Sequence, residues 1–276
     1  MTAHYKKFIP PEPKYDFRPI DFSGIANARD FYGYITGDGL RIKPNTLIRS
    51  GHLHNATSKD TELLAGTYML GTVIDFRSEE EIREKPDQIV PEAKYIHLPM
   101  LDVPSGLDAG NDDDPGRRLY FLASAGLSAD TEMYSKLVFG DMSKAALKQF
   151  FGILLENGGR RAVLFHSTNG KDRAGVAAAM MLALLGFDDE YIIGDYLYTN
   201  TANGSLIRHD VAAVTGYTSD KSELDRVRRI NGVQAYLLEF VLSKIRIEYG
   251  SVSDFAKESY GLSDDDINEL KRIYLK

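Results

Sequence analysis

The sequence contains no cysteine. That absence excludes a disulfide framework, a cysteine-ligated zinc site and a thiol nucleophile anywhere in the chain. A basic surplus is also missing: 33 lysines and arginines against 40 aspartates and glutamates give a formal net charge of −7. Proteins that grip a phosphate backbone need the opposite balance, so no nucleic-acid partner is expected. Long hydrophobic runs are absent too. The longest, Ala174 to Phe187, has 14 residues, short of the ~20 that cross a bilayer; it reads as a buried core helix, and no stable membrane insertion is expected. Lys6 and Lys7 near the start are followed by prolines and charges where a secretory signal carries its apolar stretch. A cytoplasmic location is the expectation, with export lacking a cleaved signal left open. No period of 20 to 50 residues marks a repeat architecture.

What is present is enough for an ordinary globular core: 276 residues, 43% of them apolar, need neither disulfide nor metal to fold. Residues 1–276 read as one domain, with 1–20 a proline-rich extended arm. Leu40–Ile42 and Leu47–Ile48, separated by Lys43-Pro44-Asn45, read as a short hairpin. Thr57 with Asp60 forms a capping-box pattern that opens a helix running to Gly71, and Ser78 with Glu81 forms a second one. Thr72–Phe76, Lys94–Leu98 and Ala162–Phe165 are apolar strands. Between the last two, residues 104–142 read as an insertion with two weakly helical pieces, a lid by position. Ala145–Glu156 and Ala174–Leu185 are helices ending at glycine, and everything after Asp188 is helical. Strands alternating with helices imply an α/β fold, a central, mostly parallel sheet flanked by helices.

Between the strand ending at Phe165 and the helix from Ala174 lies His166-Ser167-Thr168-Asn169-Gly170-Lys171-Asp172-Arg173. A tight polar loop from strand end to helix start gathers backbone N–H groups at a point where the helix dipole also favours an anion. Lys171 adds charge, and Arg173 has the planar fork that grips two phosphate oxygens. A Walker A loop needs Ser or Thr after Gly-Lys, where Asp172 stands; a nucleophile elbow needs glycines flanking Ser167 that are absent. Loop 166–173 is therefore a candidate phosphate cradle of a different kind.

HSTNGKDRAG resembles the signature of the cysteine-dependent phosphatases, in the HCxxGKDRxG version of a bacterial and fungal branch of the tyrosine phosphatase superfamily. Asn27-Ala28-Arg29-Asp30 with Gly33, Leu47-Ile48-Arg49-Ser50 with Leu53, Val73-Ile74-Asp75-Phe76-Arg77-Ser78 with Glu81, and Asp195-Tyr196-Leu197 with Asn200 fall in that family's order, over roughly residues 20 to 200. The resemblance implies the cysteine-dependent phosphatase fold and hydrolysis of a phosphate monoester without cofactor. It puts His166, Thr168, Asn169, Gly170, Lys171, Ala174 and Gly175 around the phosphate, with Arg173 stabilising its charge.

Ser167 stands where that family has its nucleophilic cysteine. A thiolate held by loop amides attacks phosphorus; a serine hydroxyl has the same shape but does not ionise, so this chain is expected to bind phosphate without turning it over. Two origins fit Ser167, a Cys→Ser substitution that traps substrate or a natural pseudophosphatase, and the intact remainder of the loop favours the first. The leaving oxygen needs a proton. Asp75 is a candidate donor, or else the structural partner of Arg77; Asp172 is a second, or else orients Lys171; Asp102 is a third. His166 is expected to support the loop by hydrogen bonding. His52 and His54 lack acidic or histidine company, so no metal site is expected. Neutral Thr168 and Asn169 favour a phosphotyrosine protein over a phosphoinositide, whose enzymes in this family carry more basic loops.

Overall fold

In a computed structural model, the described residues are 17–101, 115–124 and 129–276. The arm over 1–16, Asp102 and the first part of the insertion lie outside them. The chain runs β1 (Arg29–Asp30), β2 (Leu47–Ser50), α1 (Ser58–Gly66), β3 (Leu70–Asp75), α2 (Glu79–Glu84) and β4 (Lys94–His97). There follow α3 (Pro115–Ser124), α4 (Thr131–Phe139), α5 (Asp141–Asn157), β5 (Ala162–His166), α6 (Arg173–Leu185) and α7 (Asp189–Ala202). The remainder is α8 (Gly204–Val214), α9 (Lys221–Asn231), α10 (Ala235–Tyr249), α11 (Val252–Tyr260) and α12 (Asp264–Tyr274). No helix of the described residues is long and apolar enough to cross a membrane.

The strands form one sheet in the order β1-β2-β5-β3-β4, parallel throughout except for β1. Side chains alternate between its faces, as a period of two requires. Leu47, Ile74, Val163 and Phe165 join the large core built with α4–α7 and α10–α12. Ile48, Val73, Ala162 and Leu164 point the other way, onto Ile20, Phe22, Ile25 and Leu64. Both faces are covered, which is why these strands read as unbroken apolar runs. Helix α6, buried over nearly its whole length, lies against the large core.

Both capping boxes form as the sequence predicts, Thr57 with Asp60 and Ser78 with Glu81. The hairpin does not. Leu47–Ser50 pairs with β1 and β5, and Ile42 instead bridges to Leu275; the Lys43-Pro44-Asn45 turn only reverses the chain before the sheet. Helix α1 ends at Gly66 rather than Gly71, because Leu70 already pairs with Ala162. The two helical pieces of the insertion part company. Helix α3 supplies Ala123 to a small apolar cluster with Val214 of α8 and Val227 of α9, whereas α4 carries Tyr134 and Leu137 into the large core.

Candidate active site

Register decides which residues surround the loop. Ser50, His166 and Asp75, the last residues of three adjacent parallel strands, lie in one row across the sheet. The connections leaving β2, β3 and β5 therefore emerge side by side at the carboxyl edge, the usual place for a ligand in such sheets. Gly170 is packed against the first of them. Its φ is +64°, and a Cβ there would sit 2.8 Å from the Gly51 nitrogen and closer still to the Ser50 carbonyl, so only glycine fits.

Beneath the loop lies a buried charge cluster. Asp195 of α7 meets Arg29 Nε and Arg49 Nη1 at 2.7 Å each and accepts from the Tyr34 hydroxyl at 2.9 Å. Burial alone would lift the Asp195 carboxyl, but the two guanidinium groups outweigh it and hold it below the usual range. Arg49, pushed down to about 10 by burial and by Arg29, still carries its charge at neutral pH. The sequence comparison set Arg29, Arg49 and Asp195 in family order without a role; here they are the loop's foundation.

Donors then take up the loop's carbonyls one by one. The His52 amide donates to Thr168 O at 3.1 Å and the Val176 amide to Asp172 O at 2.8 Å. Asn27 Nδ2 donates to Asn169 O and Gly170 O at 3.0 Å each, and Asn203 Nδ2 to Asn169 O at 3.2 Å. Arg49 gives Nε to Gly170 O at 3.0 Å and Nη2 to Lys171 O at 3.1 Å. With the carbonyls engaged, the amides of residues 168–173 have no backbone acceptor among the described residues. Those of Arg173, Ala174 and Gly175 belong to the first turn of α6, where a helix leaves N–H groups unpaired. Donors left without a partner at a helix start favour an anion that engages them together. Ser167, 2% exposed, sits at the base of this arc.

Arg173 is braced from outside the loop. Glu81 takes its Nη1 at 2.5 Å and its Nη2 at 2.7 Å, and accepts from the Thr168 hydroxyl as well. In the sequence Glu81 reads as a helix cap and as a member of a family-ordered motif, neither of which shows this second role. Burial favours the neutral acid, but Arg173 and Thr168 pull the Glu81 carboxyl down to about 2.

Asp75 is committed in the same way. Arg77 Nε reaches both its oxygens at 3.0 Å, Arg77 Nη2 reaches Oδ2 at 2.7 Å, and the Tyr95 hydroxyl donates to Oδ2 at 2.8 Å. Burial raises its pKa, yet His166 and Arg77 prevail and hold it at about 2. Of the two readings of Asp75, the geometry favours the ion pair with Arg77. His166 differs from expectation as well. Its fully buried ring faces Asp87 at 3.0 Å and Asp75 at 3.8 Å, with neither nitrogen in an aligned hydrogen bond. The ring makes no hydrogen bond to the loop. Arg77 also pairs with Asp87 at 3.0 Å, so the cation between these carboxylates is a guanidinium.

Lys171 departs from expectation most clearly. Its ammonium lies 2.7 Å from Ile230 O, 3.3 Å from Gly232 O and 3.2 Å from Asp172 Oδ2. Three protons meet three acceptors, two of them at the carboxyl end of α9, where a cation is favoured. Lys171 thus fastens the loop to α9. Asp172 projects from the loop and accepts from the Tyr134 hydroxyl at 2.7 Å.

Depressed carboxyl pKa values fix a pH dependence. Above about pH 4.5, Asp75 and Glu81 are ionised in folded and unfolded chains alike, so their contribution to stability is complete; it is lost as the pH falls toward about 2. They are worth on the order of 2 and 3 kcal/mol respectively. Unfolding midpoints measured from pH 6 down to pH 2.5 should fall steeply below about 4.5, and Glu81→Gln should flatten that fall. An unchanged slope in the variant would show that the Glu81–Arg173 pair adds nothing.

Solved structures give only a distant likeness: TpbA of P. aeruginosa has a TM-score of 0.34 at 16% identity, covering 68% of this chain and 89% of that one. Sequence relatives extend much further. A Cupriavidus necator protein whose name places it among the tyrosine-protein phosphatases is 28% identical over 256 residues, 93% of this chain and 88% of its own. The triple specificity protein phosphatase PtpB of Mycobacterium tuberculosis is 24% identical over 280 residues, 92% of this chain and 98% of its own. A family model described as tyrosine phosphatase family matches residues 20–276. With that match running from just before β1 to the last residue, the chain belongs to the tyrosine phosphatase family.

Proposed function

We propose that residues 20–276 act as one cytoplasmic phosphatase unit that hydrolyses phosphate monoesters, phosphotyrosine in proteins before others, and that Ser167 leaves this chain able to bind but not to turn over. One observation carries the reading: every carbonyl from Thr168 to Asp172 is engaged, while the opposing amides and the braced Arg173 are left for an anion. Position 167 is the nucleophile site. A hydroxyl there cannot reach the ionised state that a cysteine would.

Asp172 is the proton donor in this scheme: it belongs to the loop itself, whereas both oxygens of Asp75 are taken by Arg77 and Tyr95. Lys171 supports the phosphotyrosine preference. With its ammonium directed to Ile230, Gly232 and Asp172, it offers nothing to a second phosphate on an inositol ring.

The test compares the chain with its Ser167→Cys variant, on a phosphotyrosine peptide and on a phosphoinositide. The expected result is binding without phosphate release by the serine form and release by the cysteine form, faster from the peptide. Binding by both with release by neither would replace the enzyme with a phosphate-binding pseudophosphatase. Faster release from the lipid would overturn the substrate preference.

A further inference from the structure

The tyrosine phosphatase reading leaves Tyr134 unexplained. It lies on α4, outside the motifs that carry the family resemblance, and its side chain is fully buried. Its hydroxyl donates to Asp172 Oδ1 at 2.7 Å and also pairs with the hydroxyl of Tyr196 on α7. Since the Tyr134 proton goes to the carboxylate, the Tyr196 proton goes to the Tyr134 oxygen. The three groups form a directed chain, Tyr196 to Tyr134 to Asp172. Burial first, and the charge of Asp172 next, raise both phenols above their ordinary range, so both remain protonated donors. The other charges near Asp172 are Lys171, 3.2 Å from Oδ2, and Arg49, whose Nη2 bonds the Lys171 carbonyl at 3.1 Å. Buried polar chains of this kind are strengthened by polarisation.

We propose that Tyr134 is a positioning residue for the proton donor: its hydroxyl fixes Asp172 beside the leaving oxygen and stabilises the carboxylate that forms as the proton departs. This rests on the function proposed above, and on a cysteine at position 167. The monoester binds as its monoanion and passes its proton to Asp172; in the first step a thiolate at 167 then forms a bond to phosphorus, the phosphorus–oxygen bond to the phenol breaks, and the leaving oxygen takes that proton from Asp172. Phenol leaves neutral and Asp172 becomes a carboxylate. In the second step water attacks phosphorus, the sulfur–phosphorus bond breaks, and the water proton returns to Asp172, giving inorganic phosphate. Negative charge appears on Asp172 in the first transition state, so a donor aimed at Oδ1 acts there more strongly than in the ground state.

Leaving-group dependence separates this from a packing role. Tyr134→Phe in the full-length Ser167→Cys protein is expected to lower kcat/KM for phenyl phosphate, a poor leaving group, by about 10- to 100-fold. For 2,4-dinitrophenyl phosphate, whose phenolate leaves unprotonated, the change should stay within about twofold. Tyr134→Phe should add nothing further to Asp172→Asn, because coupled groups do not add. Tyr196→Phe, which keeps the Tyr134–Asp172 bond, should show the same pattern more weakly. Equal losses on both esters, or full additivity with Asp172→Asn, would overturn the proposal while leaving the phosphatase intact. No turnover of either ester by the Ser167→Cys parent would instead overturn the enzyme reading and this inference with it.

Discussion

Replacing Asp195 with asparagine is expected to cost about 3–5 kcal/mol of folding stability. Among the described residues its carboxylate is the negative group that touches the two fully buried guanidiniums, at 2.7 Å from each. An amide keeps the shape and removes the charge. Arg29 and Arg49 then face one another in a dry interior, where a buried charge without its partner is far costlier than the pair was beneficial. Tyr34 also loses its charged acceptor. Function should fail with stability, because Arg49 holds Lys171 O and shares Gly170 O with Asn27; once it shifts, the arc of amides should lose its support even in molecules that remain folded. Urea unfolding monitored by circular dichroism gives the stability change, and titration with phosphotyrosine gives the binding. A loss under about 1 kcal/mol would mean that water or rearrangement satisfies the arginines, and that the cluster is not the loop's foundation.

Much of this architecture was legible because its determinants are local. Loop 166–173 lies between an apolar strand and an apolar helix, with glycine at its one left-handed position, and those features occupy contiguous residues. The two capping boxes are local as well. What stayed hidden depends on tertiary distance. Arg49 in an apolar strand signals a buried charge that must have a partner, but that partner, Asp195, lies 146 residues away, and no spacing rule connects them. Glu81 is concealed differently: its cap to Ser78 satisfies the local pattern and its place in the motif names no partner, although the same carboxylate braces Arg173. Lys171 reads from the sequence as a phosphate ligand, as a lysine in such a loop ordinarily is; only the position of α9 shows another acceptor set within reach. Leu40–Ile42 and Leu47–Ile48 mimic a hairpin around a proline turn, yet the partners of β2 are supplied by β1 and β5, the latter more than a hundred residues later.

Arg173→Lys is expected to weaken phosphotyrosine binding about 100-fold in the chain with Ser167, and to lower kcat/KM by a further factor of about ten in the Ser167→Cys protein. The substitution keeps the charge, so a purely Coulombic account predicts little change. Geometry predicts otherwise. Glu81 occupies Nη1 and one edge of Nη2, and Thr168 lies 3.2 Å from Nη2. Arg173 Nε meets no described hydrogen-bond acceptor, so the guanidinium can hold Glu81 along one edge and phosphate oxygens along another. An ammonium has no second edge. Placed opposite a carboxylate already held at about 2, it is captured by Glu81 and lost to the phosphate. Glu81→Gln combined with Arg173→Lys should therefore recover part of the affinity, since the competing carboxylate is gone, whereas a loss caused only by a shorter side chain would persist. Titration of the single and double variants with phosphotyrosine decides between them: partial recovery in the double variant supports the two-edged role of Arg173, and an undiminished or deeper loss overturns it.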